Sequence, residues 1–284
     1  MTITGKTRIL ALIGDPVAQA KTPACINQLL VEQAKQDDYV LVPMHVSSGN
    51  LDAVISGLRH MQNFCGAVIT MPHKVAICAL LDELTPEAKA VGAVNVIYRD
   101  QFGKLHGHIL DGEGFIAGLL AAEYRVQGSH CLMRGAGGAA SAIAFALARH
   151  GCQSLRIDNR SRQKAEFLKD QLVLAYPEFK VTVGETGENL IDVPLSQANA
   201  AAFQEGFDIA INASSLGMQS QDELPFPSNI IKQCALVAEC VIAPEQTALL
   251  QLANRLGIKT HTGLNMLNSQ LALMLDFMTQ QSPK

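Results

Sequence analysis

Tryptophan is absent from the 284 residues, and aromatic residues of all kinds make up only 5%. The missing tryptophan by itself excludes nothing. Charge is sparse as well, at 17% of positions, with a net charge of −4 and a pI near 6.1. No basic stretch breaks that balance, which excludes nucleic acid and anionic membrane as natural partners. No apolar run reaches the roughly eighteen residues of a membrane span. Met1–Lys6 lacks the charged and apolar regions of a signal peptide, so a cytoplasmic chain is expected. The seven cysteines (Cys25, Cys65, Cys78, Cys131, Cys152, Cys234 and Cys240) contain no C-x-x-C pair. They read as small buried hydrophobes in a reducing compartment, with neither a disulfide frame nor a zinc site. The eight histidines show no metal spacing either. A hydrophobic content of 48% is too high for a disordered chain.

What is present is an alternation of strands and helices, which predicts an α/β protein. Arg8–Ile13 reads as a strand ended by Gly14-Asp15-Pro16, and Thr22, followed by Pro23, as the N-cap of a helix. Tyr39–Val46 and Gly66–Met71 are predicted strands, the second stopped by Pro72. Leu51–Met61, Val75–Leu81 and Thr85–Val91 are predicted helices. Ala93–Arg99, the turn Asp100-Gln101-Phe102-Gly103 and Lys104–Ile109 read as a β-hairpin, so the first sheet is expected to be mixed. Length favours two domains.

The most informative stretch is His130–Ser161. Cys131-Leu132-Met133 leads into Gly135-Ala136-Gly137-Gly138-Ala139-Ala140, then an Ala-rich helix to His150, Gly151, and a strand at Leu155-Arg156-Ile157. Strand, glycine turn, helix and strand within about thirty residues form the unit that binds a dinucleotide. Gly135 permits the tight turn, Gly137 lets the backbone approach a pyrophosphate, and Ala140 lets helix and strand pack closely. The helix N-terminus then offers N–H groups and a positive dipole end to the phosphates. Further strands are expected at Lys180–Val183, Phe207–Asn212, Leu236–Val241 and Ile258–His261, and an apolar helix at Leu264–Met278.

Several short stretches then resemble the shikimate dehydrogenase family. They are Gly14-Asp15-Pro16-Val17, Lys21-Thr22-Pro23, Gly66–Lys74 and Gly92-Ala93-Val94-Asn95, followed by Asp111-Gly112 with Gly114 and the glycine turn itself. Asn159-Arg160-Ser161, Ile211-Asn212-Ala213-Ser214 with Gly217-Met218, Pro244-x-x-Thr247, and Gly263 with Met266-Leu267 and Gln270 complete the set. Each is weak alone; in the family's order along nearly the whole chain they are specific. The resemblance implies an N-terminal mixed-sheet substrate domain (residues 1–111) and a C-terminal Rossmann NADP-binding domain (112–263). A final helix (264–284) is expected to return to the first domain. It also implies reversible oxidation of a cyclic hydroxy acid in a cleft between the domains, by a monomer or homodimer with only a small-molecule partner.

The resemblance places Lys74 and Asp111 at the catalytic pair. Moving a hydride off a secondary alcohol requires the hydroxyl proton to leave too, so a base must lie within hydrogen-bond reach. A surface salt bridge is the alternative reading of the pair. Thr22, Thr70, Asn95 and Gln270 match substrate-binding positions. Gly135, Ala136, Gly137, Gly138 and Ala139, then Asn159, Arg160, Ser161 and Lys164, and finally Gly263, match cofactor-binding ones. Asp158 would argue for NAD, since an acidic residue at this strand end pairs with ribose hydroxyls. In register with the family, Asn159 takes that position and Arg160 follows, which points to NADP, with NAD as the alternative. Arg134 departs from the usual apolar residue before the turn.

Other departures cluster at the expected substrate lining. Ala20 replaces a serine, Val68 an asparagine, Ile109-Leu110 an Asn-Thr pair, Ile242 a tyrosine and Glu239 an aspartate. The expectation is a shikimate-dehydrogenase-like NADP oxidoreductase whose site is less polar than the family's. A true shikimate or quinate/shikimate dehydrogenase is one alternative, and a catalytically idle NADP-binding sensor another.

Overall fold

The computed structural model describes residues 2–184 and 206–280. Two compact units emerge, Met1–Leu110 with Gln270–Lys284, and Asp111–Ser269. The first boundary falls one residue before the expected one, so Asp111 opens the second unit. The terminal helix changes units at Gln270 rather than at residue 264.

The first unit is built on a six-stranded mixed sheet. Its strands are β1 (Arg8–Gly14), β2 (Tyr39–His45), β3 (Phe64–Ile69), β4 (Glu83–Leu84), β5 (Val96–Arg99) and β6 (Leu105–His108), in the order β2-β1-β3-β5-β6-β4. β1 runs parallel to β2 and β3, and β5 is antiparallel to both β3 and its hairpin partner β6. The hairpin turn is closed by Asp100, whose Oδ1 accepts from Phe102 N at 2.8 Å and Lys104 N at 2.9 Å. This side-chain-to-backbone mimicry of a turn is what Asp does well.

Around the sheet lie α1 (Thr22–Glu32), α2 (Leu51–His60) and α3 (Pro86–Val91). Thr85 caps α3 by accepting from Ala88 N at 3.2 Å, and Gly92 ends it in the left-handed region. Thr22 does not cap α1. The chain is already helical at Lys21, so Thr22 lies inside the first turn and its hydroxyl makes no cap bond. The helix expected at Val75–Leu81 is instead a 3₁₀ turn, Ala76–Leu80. The Lys74 carbonyl, which an α-helix would offer to the amide four residues on, accepts from Val94 N at 2.8 Å.

The second unit is a parallel six-stranded sheet in the order β12-β11-β10-β7-β8-β9. The strands are β7 (His130–Arg134), β8 (Ser154–Asp158), β9 (Lys180–Val183), β10 (Ile209–Asn212), β11 (Leu236–Glu239) and β12 (Lys259–His261). Counted within the unit this is 3-2-1-4-5-6, the Rossmann order, with its reversal between β7 and β10. The helices are α4 (Asp111–Ala121), α5 (Gly138–Arg149), α6 (Arg162–Ala175), α7 (Ser228–Ile231) and α8 (Ala248–Arg255). On one face Leu132, Ala210 and Val237, level with each other across three strands, pack with Ile231 of α7 and with Leu249, Leu250 and Ala253 of α8.

The last helix, α9 (Gly263–Thr279), buries Leu271, Met274, Leu275 and Met278 in its later turns. There Phe277 packs edge-on to Tyr98, with ring centroids 5.1 Å apart. Among the described residues no helix is long and apolar enough to cross a membrane.

Inside the second unit His261 is fully buried against the Phe115 ring, and neither ring nitrogen has a hydrogen-bond partner. Burial alone pushes its pKa down to about 4. A group whose folded pKa is depressed contributes stability present above its unfolded value and lost as pH falls towards the folded one. The window is therefore about pH 6.5 down to 4. Between pH 7.5 and 5 the wild type should lose about 2 kcal/mol more stability than His261→Leu, measured by urea unfolding at both pH values. Parallel pH dependence in the two proteins would remove His261 as the cause.

Candidate active site

At the carboxyl edge of the second sheet, β7 runs into Gly135 at φ +126°, a conformation open to glycine. A side chain there would also place its Cβ 2.5 Å from the Ala213 carbonyl oxygen. Gly137 is the extended N-cap of α5 and makes no side-chain cap bond. The first turn of α5 carries no acidic residue. A Cβ at Gly137 would meet nothing within 4 Å. The helix start is thus a set of unsatisfied N–H groups facing open space, a fitting seat for a diphosphate.

The next strand end is basic. Asn159 donates from Nδ2 to the Ser161 carbonyl at 2.9 Å, shaping the turn into α6. Arg160 and Lys164 are exposed, and Arg162 is engaged by Glu166 at 3.2 Å. Cations at a helix start oppose its dipole, so an anion there gains from both. Asp158, one residue earlier, is buried and its Oδ1 accepts from Arg156 Nε at 3.0 Å. Parallel register sets Asp158 beside Arg134, Arg134 beside Asn212, and Asn212 beside Glu239. Arg134 is the cation in that polar row, which gives the unusual residue a setting that the sequence alone did not.

In the first unit the loops after β1 and β3 are joined by backbone bonds: Thr70 N donates to Ile13 O and Asp15 N to Met71 O, both at 2.9 Å. Thr70 and Lys74 lie on the second of these loops. Asn95 joins them, because Ile69 N donates to its carbonyl at 2.8 Å and Val94 N to that of Lys74. The buried Asn95 side chain accepts from Leu110 N at 2.9 Å and donates to Gln270 Oε1 at 3.4 Å. Lys74, Thr70, Asn95 and Gln270 are therefore gathered at one sheet edge. Thr22 is buried nearby in sequence to the first loop but makes no side-chain bond to them. Asp111 belongs to the second unit, where it is the buried first residue of α4 rather than a loop residue. Helix dipoles favour a carboxylate at that end. His73, an unremarkable residue in the sequence, is buried with Nε2 donating to Val46 O at 2.6 Å and fixes this loop. An open cavity of about 620 Å³ lies at the end of β2, lined by His45, Val46 and Ser47, and by none of the expected substrate residues. Among the described residues no group of His, Cys, Asp and Glu could hold a metal ion.

Residues 12–97 match the family described as shikimate dehydrogenase substrate binding domain. A shikimate dehydrogenase (NADP(+)) of Rubrobacter xylanophilus is 38% identical over 266 residues, 93% of this chain and 88% of the relative. The chain belongs to the shikimate dehydrogenase family. A second member, from Geobacter metallireducens, is 36% identical over 286 residues, covering all of this chain and 95% of its own. The fold agrees. Shikimate 5-dehydrogenase of Listeria monocytogenes, solved with shikimate and NAD, gives a TM-score of 0.86 at 30% identity over 99% of this chain and 94% of that one. A 5-ketofructose reductase of Gluconobacter gives 0.83 at 28%, over 99% and 96%. The N-terminal substrate domain and C-terminal Rossmann domain read from the sequence are those of this family.

Sequence reasoning missed the bonds of Glu239. It saw a glutamate replacing an aspartate, but not that this carboxyl collects donors from Asn212 and Thr247. The available signal was an acidic residue closing an otherwise apolar strand, Leu236–Glu239. The basic start of α6 yields a direct test. Arg160→Ala should weaken 2′,5′-ADP by about 1.5–3 kcal/mol and leave 5′-ADP nearly unchanged in calorimetric titrations, since only the first carries the 2′-phosphate. Equal losses for both ligands would show that Arg160 does not read that phosphate.

Proposed function

We infer that the chain is an NADP-dependent dehydrogenase moving a hydride reversibly between the nicotinamide and a hydroxylated, cyclic carboxylic acid. Relatives of matching length named shikimate dehydrogenase (NADP(+)) support this. The observation that carries the cofactor choice is the state of Asp158. Its carboxylate is turned to Arg156, while Arg160 and Lys164 stand exposed at the start of α6. A ribose 2′-phosphate meets cations there, and the nearby acid is buried with one carboxylate oxygen on Arg156.

When bound, the nicotinamide supplies hydride acceptance and donation; the chain handles the proton. Lys74 takes the hydroxyl proton as the alcohol becomes a ketone and returns it to the carbonyl oxygen in reverse. The family resemblance assigns Asp111 the carboxylate of the same catalytic pair. Asn95 and Gln270, already joined, hold substrate hydroxyls, with Thr70 beside them and Thr22 towards the carboxylate. Gly263 completes the cofactor side.

The substrate reading has a second part. Val68, Ile109 and Leu110 are buried where the family's residues are polar, and Ala20 has no hydroxyl to offer. Each methylene buried against them gains about 0.8 kcal/mol, whereas a hydroxyl left unpaired costs about 1–3 kcal/mol. That supports a substrate less polar than shikimate.

A panel of cyclic and linear hydroxy acids, assayed by NADP and NAD reduction, tests the reading. A member should be oxidised with NADP preferred, and silence across the panel with intact cofactor binding would favour the idle binding protein. On the substrate so found, Lys74→Ala should lower kcat by about 10²–10⁴ with little change in NADP affinity. Near-normal turnover would take Lys74 out of the proton transfer.

A further inference from the structure

The half of the Rossmann sheet beyond the strand-order reversal ends on a buried acid. Glu239, last residue of β11, has no solvent exposure, and its whole strand is buried. Asn212 Nδ2 donates to both its carboxyl oxygens, at 2.9 and 3.0 Å. Val241 N and the Thr247 hydroxyl each donate at 3.0 Å, one to Oε1 and one to Oε2. Burial pushes this carboxyl above the usual carboxylate range, against the pull of those bonds. An apolar side chain would fill the position without that desolvation.

The donors, which also include the Cys240 backbone, come from three segments. Asn212 ends β10, and its own Oδ1 accepts from the Ser214 amide at 3.2 Å and the Ser214 hydroxyl at 2.7 Å. Its Nδ2 also donates to Leu216 O at 2.8 Å, so this amide bonds the 213–217 turn at both Ser214 and Leu216. Val241 begins the chain after β11. Thr247 is the N-cap of α8, accepting from Leu250 N at 3.4 Å while donating to Glu239. One carboxyl thus ties the loop after β10 to the loop after β11 and the start of α8.

We propose that Glu239 is a positioning residue for the nicotinamide half of the cofactor, acting through Asn212 and Thr247 on the loops that border it. This rests on the NADP reading above. Dinucleotides in this fold straddle the reversal point, one mononucleotide on each side. The uncapped α5 and the basic α6 start both belong to the β7–β8 side, which assigns the diphosphate and adenosine there. The β10–β11 side, organised by Glu239, is left to the nicotinamide. Glu239 itself touches no ligand; it sets where Ser214, Leu216 and Val241 stand.

The two halves can be probed separately. 2′,5′-ADP carries only the adenosine half, whereas NADP carries both. Calorimetric titrations with each ligand on wild type, Glu239→Gln and Glu239→Asp separate a local from a general effect. Gln keeps the volume but turns an N–H towards donors, and Asp keeps the charge while shortening its reach. The expected result is 2′,5′-ADP binding unchanged within about twofold in all three proteins. NADP should weaken about tenfold in Glu239→Gln and less in Glu239→Asp, the loss of one or two hydrogen bonds' worth of order. Equal weakening of both ligands would mean general loosening and overturn the proposal, as would unchanged NADP binding in both variants. Should Glu239→Gln fail to fold, Glu239→Asp carries the same comparison. Wild type that binds neither ligand would overturn the NADP reading itself, an outcome distinct from any difference between variants.

Discussion

β7 and β10 can lie side by side through their last residues only because Gly135 has no side chain. An added Cβ would sit 2.5 Å from the Ala213 carbonyl oxygen, far inside van der Waals contact, and the backbone there has φ +126°. Much of the second unit follows from this one approach. It lets Ala213 N donate to Arg134 O at 2.8 Å, so the two central strands stay paired to their ends. It also turns the chain sharply enough that α5 begins with its N–H groups uncapped. The order of strands reverses at the same place, and the loops that leave on either side form the two halves of a nucleotide seat.

Buried polar groups give the rest of that edge its character. Asp158 is held by Arg156, Asn212 by Glu239, and Glu239 by three segments at once. Each of these would be expensive without its partner, since an uncompensated buried charge is strongly destabilising. His261 in the same unit is buried with both nitrogens unbonded and held neutral by its surroundings. In the first unit the polar economy is tighter. Asn95 spends its amide oxygen on Leu110 N and an N–H on Gln270, and Val68, Ile109 and Leu110 are buried in the same unit.

Much of this was legible from residue order because local chemistry dictated it. The glycine turn, the Thr85-Pro86 helix start and the Asp100–Gly103 hairpin turn are decided by one or two residues each, and they stand where the sequence puts them. Lys74 could be placed on a loop because the strand end before Pro72 is easy to see, whereas Asp111, expected on a loop, opens a helix. Long-range hydrogen bonds were not legible. Nothing near Val75 reveals that Val94 N will take the Lys74 carbonyl and keep the following turn 3₁₀. The helical backbone at Lys21, which denied Thr22 its capping role, is likewise invisible in the residues themselves. Register alone set Asp158 aside as a ribose ligand in favour of Asn159; that its carboxylate is engaged by Arg156, two residues earlier on the same strand face, was not visible in the sequence.

The proposed substrate is less polar than shikimate, because Ala20, Val68, Ile109 and Leu110 stand where the family resemblance expects polar residues. Steady-state kinetics with shikimate and NADP address this most directly. Two or three unpaired substrate groups predict a deficit of about 10²–10⁵ in kcat/KM, leaving activity weak but measurable, with a less hydroxylated cyclic acid preferred. A kcat/KM for shikimate above about 10⁵ M⁻¹s⁻¹, inside the normal enzyme range, would contradict the account.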